Sequence, residues 1–342
     1  MTVQQALARL LDGHDLSREE ARAVMNEIME GEATPAQIGG FLIALRLKGE
    51  TADEITGCAE AMREHVLAVQ PKRDDLVDTA GTGGDGKSTL NISTAAALVA
   101  AAAGAGVAKH GNRAASSQTV SADVLEALGF ELDLAPERIA QSIDELGFGF
   151  MFAQAHHPAM KHAAPVRREL GTRTVFNVLG PLTNPARARA QVVGVYSADV
   201  VRPVAEALAQ LGARRAFVVH GAGGIDELSP CGPNHVCEVV DGGVRERTID
   251  PAELGIERCE PEELRGGSPA ENADAIRGVL AGGPGARRDA ILLNAAGAIA
   301  AAGHAEDLRD GLELARDAVD TGAAADRLER LVAFSRAGEV PA

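Results

Sequence analysis

The chain has 342 residues, 46% apolar and 24% charged, and its 33 basic against 49 acidic side chains leave a formal net charge of −16. Such a length favours two domains over one, and the composition is that of an ordinary soluble globular protein. The acid excess, with no Trp and one Tyr, argues against non-specific binding to nucleic acid or to an anionic membrane.

Residues 1 to about 70 read as helices only. Ser17-Arg-Glu-Glu20, Thr34-Pro-Ala-Gln37 and Thr51-Ala-Asp-Glu54 are successive capping boxes, each a hydroxyl residue with Glu or Gln three positions later. The helix opened by Thr34 carries Ile38, Phe41, Leu42, Ala44 and Leu45, a broad apolar face. Four short helices cannot bury such faces alone, so packing on the main body or on a second subunit is expected. The N-terminus lacks the pattern of a signal peptide. The longest apolar run, the 14 residues from Ala95 to Ala108, is interrupted by Gly104 and Gly106 and is too short to cross a bilayer. Cytoplasm is the expected location. Cys58, Cys231, Cys237 and Cys259 show no C-x-x-C spacing, so zinc and redox motifs are not indicated and reduced structural thiols are expected.

From Asp75 the period changes to α/β alternation. Strands are expected at 76–79, 106–109, 148–152, 190–196 and 215–219, helices at 91–103, 121–128, 136–146 and 199–211, and a hairpin around Asp241-Gly242-Gly243. The apolar run 291–301 is expected to be buried. Alternation of this kind implies an α/β fold with a mostly parallel central sheet flanked by helices, and a ligand crevice at the carboxyl ends of the strands.

The most informative stretch is Leu76 to Thr94, a strand, four glycines within six residues (Gly81, Gly83, Gly84, Gly86) and the start of a helix. Glycine permits φ > 0, so the loop can turn its N–H groups toward an anion at a helix N-terminus. Gly81-x-Gly83-x-x-Gly86 fits a dinucleotide fingerprint, and Gly81-x4-Gly86-Lys87-Ser88 fits a Walker A loop. The surroundings oppose both. The next strand runs into Lys109-His110-Gly111-Asn112-Arg113 where a dinucleotide site wants an acid, and the candidate Walker B runs 216–219 and 291–293 end in His220 and Asn294 rather than in an acidic metal ligand. Further along, Ser116, Ser117, Thr119 and Ser121 make a hydroxyl-rich loop suited to phosphate. Arg167, Arg168 and Arg173 gather guanidinium groups in a Pro-cut segment, and adjacent Asp226 and Glu227 supply hard oxygen ligands for Mg²⁺. His156 and His157, about 100° apart on a helix, make poor metal co-ligands and read as pocket-wall residues.

The run Gly-Thr-Gly-Gly-Asp-Gly-x-x-Thr-x-Asn-Ile-Ser-Thr from Gly81 to Thr94, followed by Lys109-His110-Gly111-Asn112-Arg113, resembles the signature of the anthranilate phosphoribosyltransferases. The resemblance extends over most of the chain. It implies the class III phosphoribosyltransferase fold, shared with pyrimidine nucleoside phosphorylases. The small helical domain would comprise 1–70 with an inserted segment at about 158–185, and the α/β domain 71–157 and 186–342. The implied reaction transfers the phosphoribosyl group of 5-phosphoribosyl-1-diphosphate to the amine of anthranilate, releasing pyrophosphate, in tryptophan biosynthesis. By the same resemblance, substrate contacts fall to Gly81, Gly84, Asp85, Thr89, Asn91, Ile92, Ser93 and Thr94, to Lys109, His110, Gly111, Asn112, Arg113, Ala114, Ala115, Ser116, Ser117 and Ser121, and to Arg167. Arg167 and Asn112 would contact anthranilate, with His110 shaping its pocket or taking the amine's proton. Mg²⁺ would be bound by Ser93, Asp226 and Glu227, and a homodimer would form through the helical domain. A nucleoside phosphorylase, a non-catalytic nucleic-acid-binding paralogue and a Walker-type NTPase remain the alternatives.

Overall fold

The structure, a computed structural model, describes residues 1–113 and 119–337. Four helices come first: α1 (Val3–Leu11), α2 (Arg18–Glu30), α3 (Pro35–Lys48) and α4 (Ala52–Glu64). Each begins at a hydroxyl N-cap, Thr2, Ser17, Thr34 and Thr51, with a complete capping box. The boxes satisfy N–H groups that the first helical turn would otherwise leave unpaired. Glu54 does more than cap. Its wholly buried carboxylate also accepts from the Leu16 N–H at 2.9 Å and from Lys48 Nζ at 3.0 Å, tying three segments together.

The rest is built on β1 (Leu76–Gly81), α5 (Ile92–Ala102), β2 (Gly106–Gly111), α6 (Ser121–Leu128), α7 (Pro136–Leu146) and β3 (Phe148–Phe152). Three short helices follow, α8 (Ala153–His156), α9 (Ala164–Leu170) and α10 (Phe176–Leu182). Alternation resumes with β4 (Ala190–Gly194), α11 (Val201–Gln210), β5 (Arg215–His220), β6 (Asn234–Val240) and β7 (Gly243–Ile249). The chain closes with α12 (Pro269–Leu280), α13 (Ala286–Ala302), α14 (Leu308–Asp320) and α15 (Ala323–Arg336). The seven strands form one sheet in the order β3-β2-β1-β4-β5-β6-β7, parallel through β5 and antiparallel beyond it. The expected fold class is thus the observed one. The hairpin turn carries Asp241 and Gly242 at φ 45° and 83°, both central residues left-handed as a tight hairpin requires.

Alternating side chains divide the core. Val192, Phe217 and Val219 face α5, α13, α14 and α15, whereas Val193, Val195, Ala216 and Val218 face α11, α10 and the N-terminal helices in one continuous cluster. The Thr34 helix, α3, buries its apolar face within that second cluster, packed against α1 and α9. The apolar run 291–301 lies wholly inside α13 and is buried. The order of strands reverses at β1, whose neighbours are β2 and β4. Such a switch point opens a crevice beyond the strand ends, and the site lies there.

Candidate functional site

Three loops leave the carboxyl ends of β1, β2 and β5 and line one cavity of about 490 Å³: Gly81–Asn91, the segment from Lys109 to Arg113, and Asp226 with Glu227. Gly83, Gly84 and Gly86 all have positive φ, as the turn of the first loop demands. The acidic loop lies directly on the ends of β1 and β4. A Cβ at Gly81 would fall 2.3 Å from Asp226 Oδ2, and one at Gly194 only 1.4 Å from the Asp226 carbonyl oxygen. Glycine at both places is what lets the acidic pair reach the glycine loop, where the Gly83 N–H donates to Asp226 Oδ2 at 2.7 Å.

Among the sequence-predicted residues, Gly81, Gly84, Asp85, Thr89, Asn91, Ser93, Lys109, His110, Gly111, Asn112, Arg113, Ser121, Asp226 and Glu227 line this cavity. Ala114, Ala115, Ser116 and Ser117 lie outside the described residues. The side chains of Ile92 and Thr94 are fully buried and do not line the cavity. Their positions in the first turn of α5 point them into the core behind the loop. The helix N-terminus itself is also not a free phosphate seat. The Ser93 N–H donates to Glu227 Oε1 at 2.9 Å, so the positive end of α5 holds a carboxylate.

That carboxylate is poised for a cation. Glu227 Oε2 is buried with no hydrogen-bond partner, and burial together with Asp226 raises its pKa well above the ordinary carboxylate value. Asp226, half-buried, is pushed up to about 7 by burial and by the neighbouring charge of Asp85. Among the described residues no group of three or more His, Cys, Asp or Glu side chains is arranged to hold a metal alone. A pair of hard carboxylates beside a serine fits Mg²⁺, which characteristically takes one or two carboxylates and completes its shell with water and phosphate oxygens.

Lys109 lies under the cavity floor, 1% exposed, with Nζ 2.5 Å from the Thr79 carbonyl oxygen. Burial lowers its pKa to about 8, against the attraction of Asp78 and Glu227. Asp78, absent from the sequence-predicted set, is the hub below. Its oxygens accept from the His110 N–H at 3.1 Å and from Asn184 Nδ2 at 2.7 Å, and burial raises its pKa to about 6. The Lys109 ammonium unloads its proton above about pH 8, and the cavity then loses a positive charge. We expect kcat/KM for a polyanionic substrate to fall on the alkaline side with a midpoint near 8 in a pH–rate profile, and that limb to be missing in Lys109→Met.

A second cavity, of about 590 Å³, opens against the first and shares Ala80, Gly81, Thr82, His110, Gly111 and Asn112 with it. Its remaining wall comes from Met62 of α4 and from the 153–183 segment, which adds apolar Met160, Phe176 and Pro181 beside Arg167 and Arg168. Arg167 rests over the Phe176 ring at 4.9 Å, with its pKa lowered by burial. No carboxylate pairs with Arg167 among the described residues, so its paired donors face the cavity. Arg173, from the same segment, reaches across to the glycine loop. It donates to the Gly84 carbonyl oxygen and lies 4.3 Å over the Tyr196 ring, bracing the glycine loop from the inserted segment. Arg113, by contrast, is engaged by Glu126 at 2.6 Å and stacks over Phe152 at 5.6 Å.

His110 is buried at the shared wall. Burial, with the neighbouring His157, depresses its pKa to about 3, so the ring is neutral at physiological pH. Nδ1 sits 3.2 Å from the Gly180 carbonyl oxygen and therefore carries the hydrogen, leaving Nε2 to accept from His157 Nε2 at 3.2 Å. A ring so engaged shapes the wall and is a poor proton acceptor.

Residues 4–66 match the family described as "Glycosyl transferase family, helical bundle domain", and residues 73–325 match "Glycosyl transferase family, a/b domain". The anthranilate phosphoribosyltransferase of Anaeromyxobacter sp. (strain Fw109-5) is 56% identical over 98% of this chain and 99% of its own. That of Symbiobacterium thermophilum is 53% identical over 96% of each. The crystal structure of the Thermus thermophilus enzyme superposes with a TM-score of 0.92 at 51% identity, covering 97% of this chain and 99% of that one. The Saccharomyces cerevisiae enzyme, in complex with PRPP and Mg, superposes with a TM-score of 0.88 at 28% identity, each chain covered to 97%. With both halves of the molecule and the whole of the cleft accounted for, this chain belongs to the anthranilate phosphoribosyltransferase family.

Proposed function

We propose that the protein transfers the phosphoribosyl group of 5-phosphoribosyl-1-diphosphate to the amine of anthranilate, giving N-(5-phosphoribosyl)anthranilate and pyrophosphate. The observation that carries this reading is the abutment of two cavities of unlike chemistry along one wall. The ribosyl donor occupies the first, its diphosphate between the glycine loop, Lys109 and the acidic pair. Anthranilate occupies the second, its ring against Phe176 and Met160 and its carboxylate paired with Arg167. Asn112 and Gly81 stand on the shared wall, where the amine meets C1 of the ribose.

Asp226, Glu227 and Ser93 would hold Mg²⁺, which when bound offsets the charge of the diphosphate. The remaining work belongs to the chain. The C1–O bond breaks as its electron pair leaves with pyrophosphate, and the C1–N bond forms from the nitrogen lone pair of the aryl amine. That amine is already neutral near pH 7, so placing it in line contributes several kcal/mol without a strong base. A neutral His110 is consistent with this division.

We assign residues 1–70 and the 158–185 segment to the helical domain and the remainder to the α/β domain. Leu11 and Leu47, exposed at 72% and 82% on the helical domain, support a homodimer through that face. No described helix is long and apolar enough to cross a membrane, and cytoplasm is the location we propose. Mixing the protein with anthranilate, the donor and Mg²⁺ tests the activity. A change in anthranilate fluorescence with stoichiometric pyrophosphate supports it. Phosphate-dependent cleavage of a pyrimidine nucleoside without pyrophosphate release contradicts it.

A further inference from the structure

Cys231 and Cys259 are 28 residues apart in sequence, yet their Sγ atoms lie 3.3 Å from one another, both thiols free. Both line a cavity of about 290 Å³ beside Arg258, Glu260 and Glu263, which gives small molecules access to them. Cys58 and Cys237 are fully buried.

The two thiols belong to the two segments that hold the donor cavity in shape. Cys231 follows the acidic loop by four residues, and its N–H donates to Ser229 Oγ at 3.1 Å. Cys259 begins the stretch that grips the glycine loop from outside. There the Leu264 carbonyl oxygen accepts from the Leu90 N–H at 2.8 Å, and the Gly266 N–H donates to the Ser88 carbonyl oxygen at 2.9 Å.

We propose that Cys231 and Cys259 form a reversible disulfide that switches the donor cavity, by pulling the acidic loop and the strap around the glycine loop toward each other. A disulfide needs its sulfurs about 2.0 Å apart, so closing the pair moves the two walls by about an ångström. Within a cytosol the pairs that do oxidise are characteristically catalytic or redox-sensing. The oxidant is a low-molecular-weight disulfide. The Cys231 thiolate attacks one of its sulfurs and expels one small thiol, leaving a mixed disulfide. The Cys259 thiol then gives up its proton and attacks the Cys231 sulfur, expelling the second. Two protein thiols are oxidised and one small disulfide is reduced to two thiols. The order follows from burial and the adjacent Cys231, which push the Cys259 thiol up to about 12 and make it the slower first attacker.

The functional half of this inference rests on the transferase reading, so the experiment has a readout that does not. The full-length protein is incubated with oxidised glutathione, then digested without reductant for peptide mass analysis, with kcat/KM for the donor measured in parallel. The expected result is a cross-linked peptide pair containing Cys231 and Cys259 and a fall in kcat/KM of roughly tenfold or more, since ångström-scale misplacement costs about 100-fold. Dithiothreitol reverses both, and neither occurs in Cys231→Ser or Cys259→Ser, whose reduced activity matches wild type. Only glutathione adducts, or no loss of thiols, would overturn the disulfide. A cross-link that leaves kcat/KM unchanged would overturn the switch.

Discussion

Replacing Arg167 with alanine is expected to raise the KM for anthranilate by roughly 10- to 100-fold and to leave the KM for the ribosyl donor within about twofold. A hydrogen-bonded charge pair contributes about 1.5–3 kcal/mol, and each 1.4 kcal/mol is a factor of ten. The side chain is half-buried on α9, held over Phe176, and lines only the second cavity. Lysine recovers part of the loss, because its ammonium supplies the charge without the paired donors. Steady-state kinetics with each substrate varied in turn separates these outcomes. An unchanged KM for anthranilate would remove Arg167 from the acceptor site.

The second large effect is expected at the acidic pair, where activity and stability should move in opposite directions. Glu227→Gln should lower kcat/KM for the donor by roughly 100- to 1,000-fold, the range seen when a positioned electrostatic group is removed. The same change should raise the thermal midpoint of the ligand-free protein by a few degrees, because a buried carboxylate with an orphan oxygen is costly without a cation. The sign follows from the raised pKa values. A carboxyl that titrates higher in the folded chain favours folding while protonated, and that advantage is lost as pH rises through the folded value. Ligand-free wild type should therefore lose stability as pH climbs from about 4 through about 7, the window set for Asp226, and Asp226→Asn should flatten the curve. Scanning calorimetry from pH 5 to 8.5 checks both. A destabilised Glu227→Gln would mean that the carboxylate braces the free protein.

Local signals carried far in this chain where the physics is local. Capping boxes at Ser17, Thr34 and Thr51 marked helix starts because cap and third residue are near neighbours, and the same pattern at Thr2-Gln5 and Ser268-Glu271 was equally available. The glycine loop announced itself because few other residues accept its φ values. What stayed hidden depends on distant partners. Asp78 reads as the polar end of an apolar run, and nothing local says that Asn184, 106 positions on, will bond to it. The Arg173 brace on Gly84 spans 89 positions. Ile92 and Thr94 fall within a motif that reads as uniformly ligand-facing, but the helical turn sends their side chains inward while Ser93 between them lines the cavity. Cys231 and Cys259 carry no recognisable spacing because their meeting is made by tertiary structure.

In the mechanism we propose, the glycine-rich, cationic and acidic loops would clasp one diphosphate together, and the acidic pair would hold the cation. Titration calorimetry of 5-phosphoribosyl-1-diphosphate into the protein, with and without Mg²⁺, tests this most directly. Binding is expected to weaken at least tenfold without Mg²⁺, and Lys109→Met and Glu227→Gln should each weaken it, the Glu227 variant losing most of its Mg²⁺ dependence. Equal affinity in chelator and in Mg²⁺, unaltered by either substitution, would contradict it.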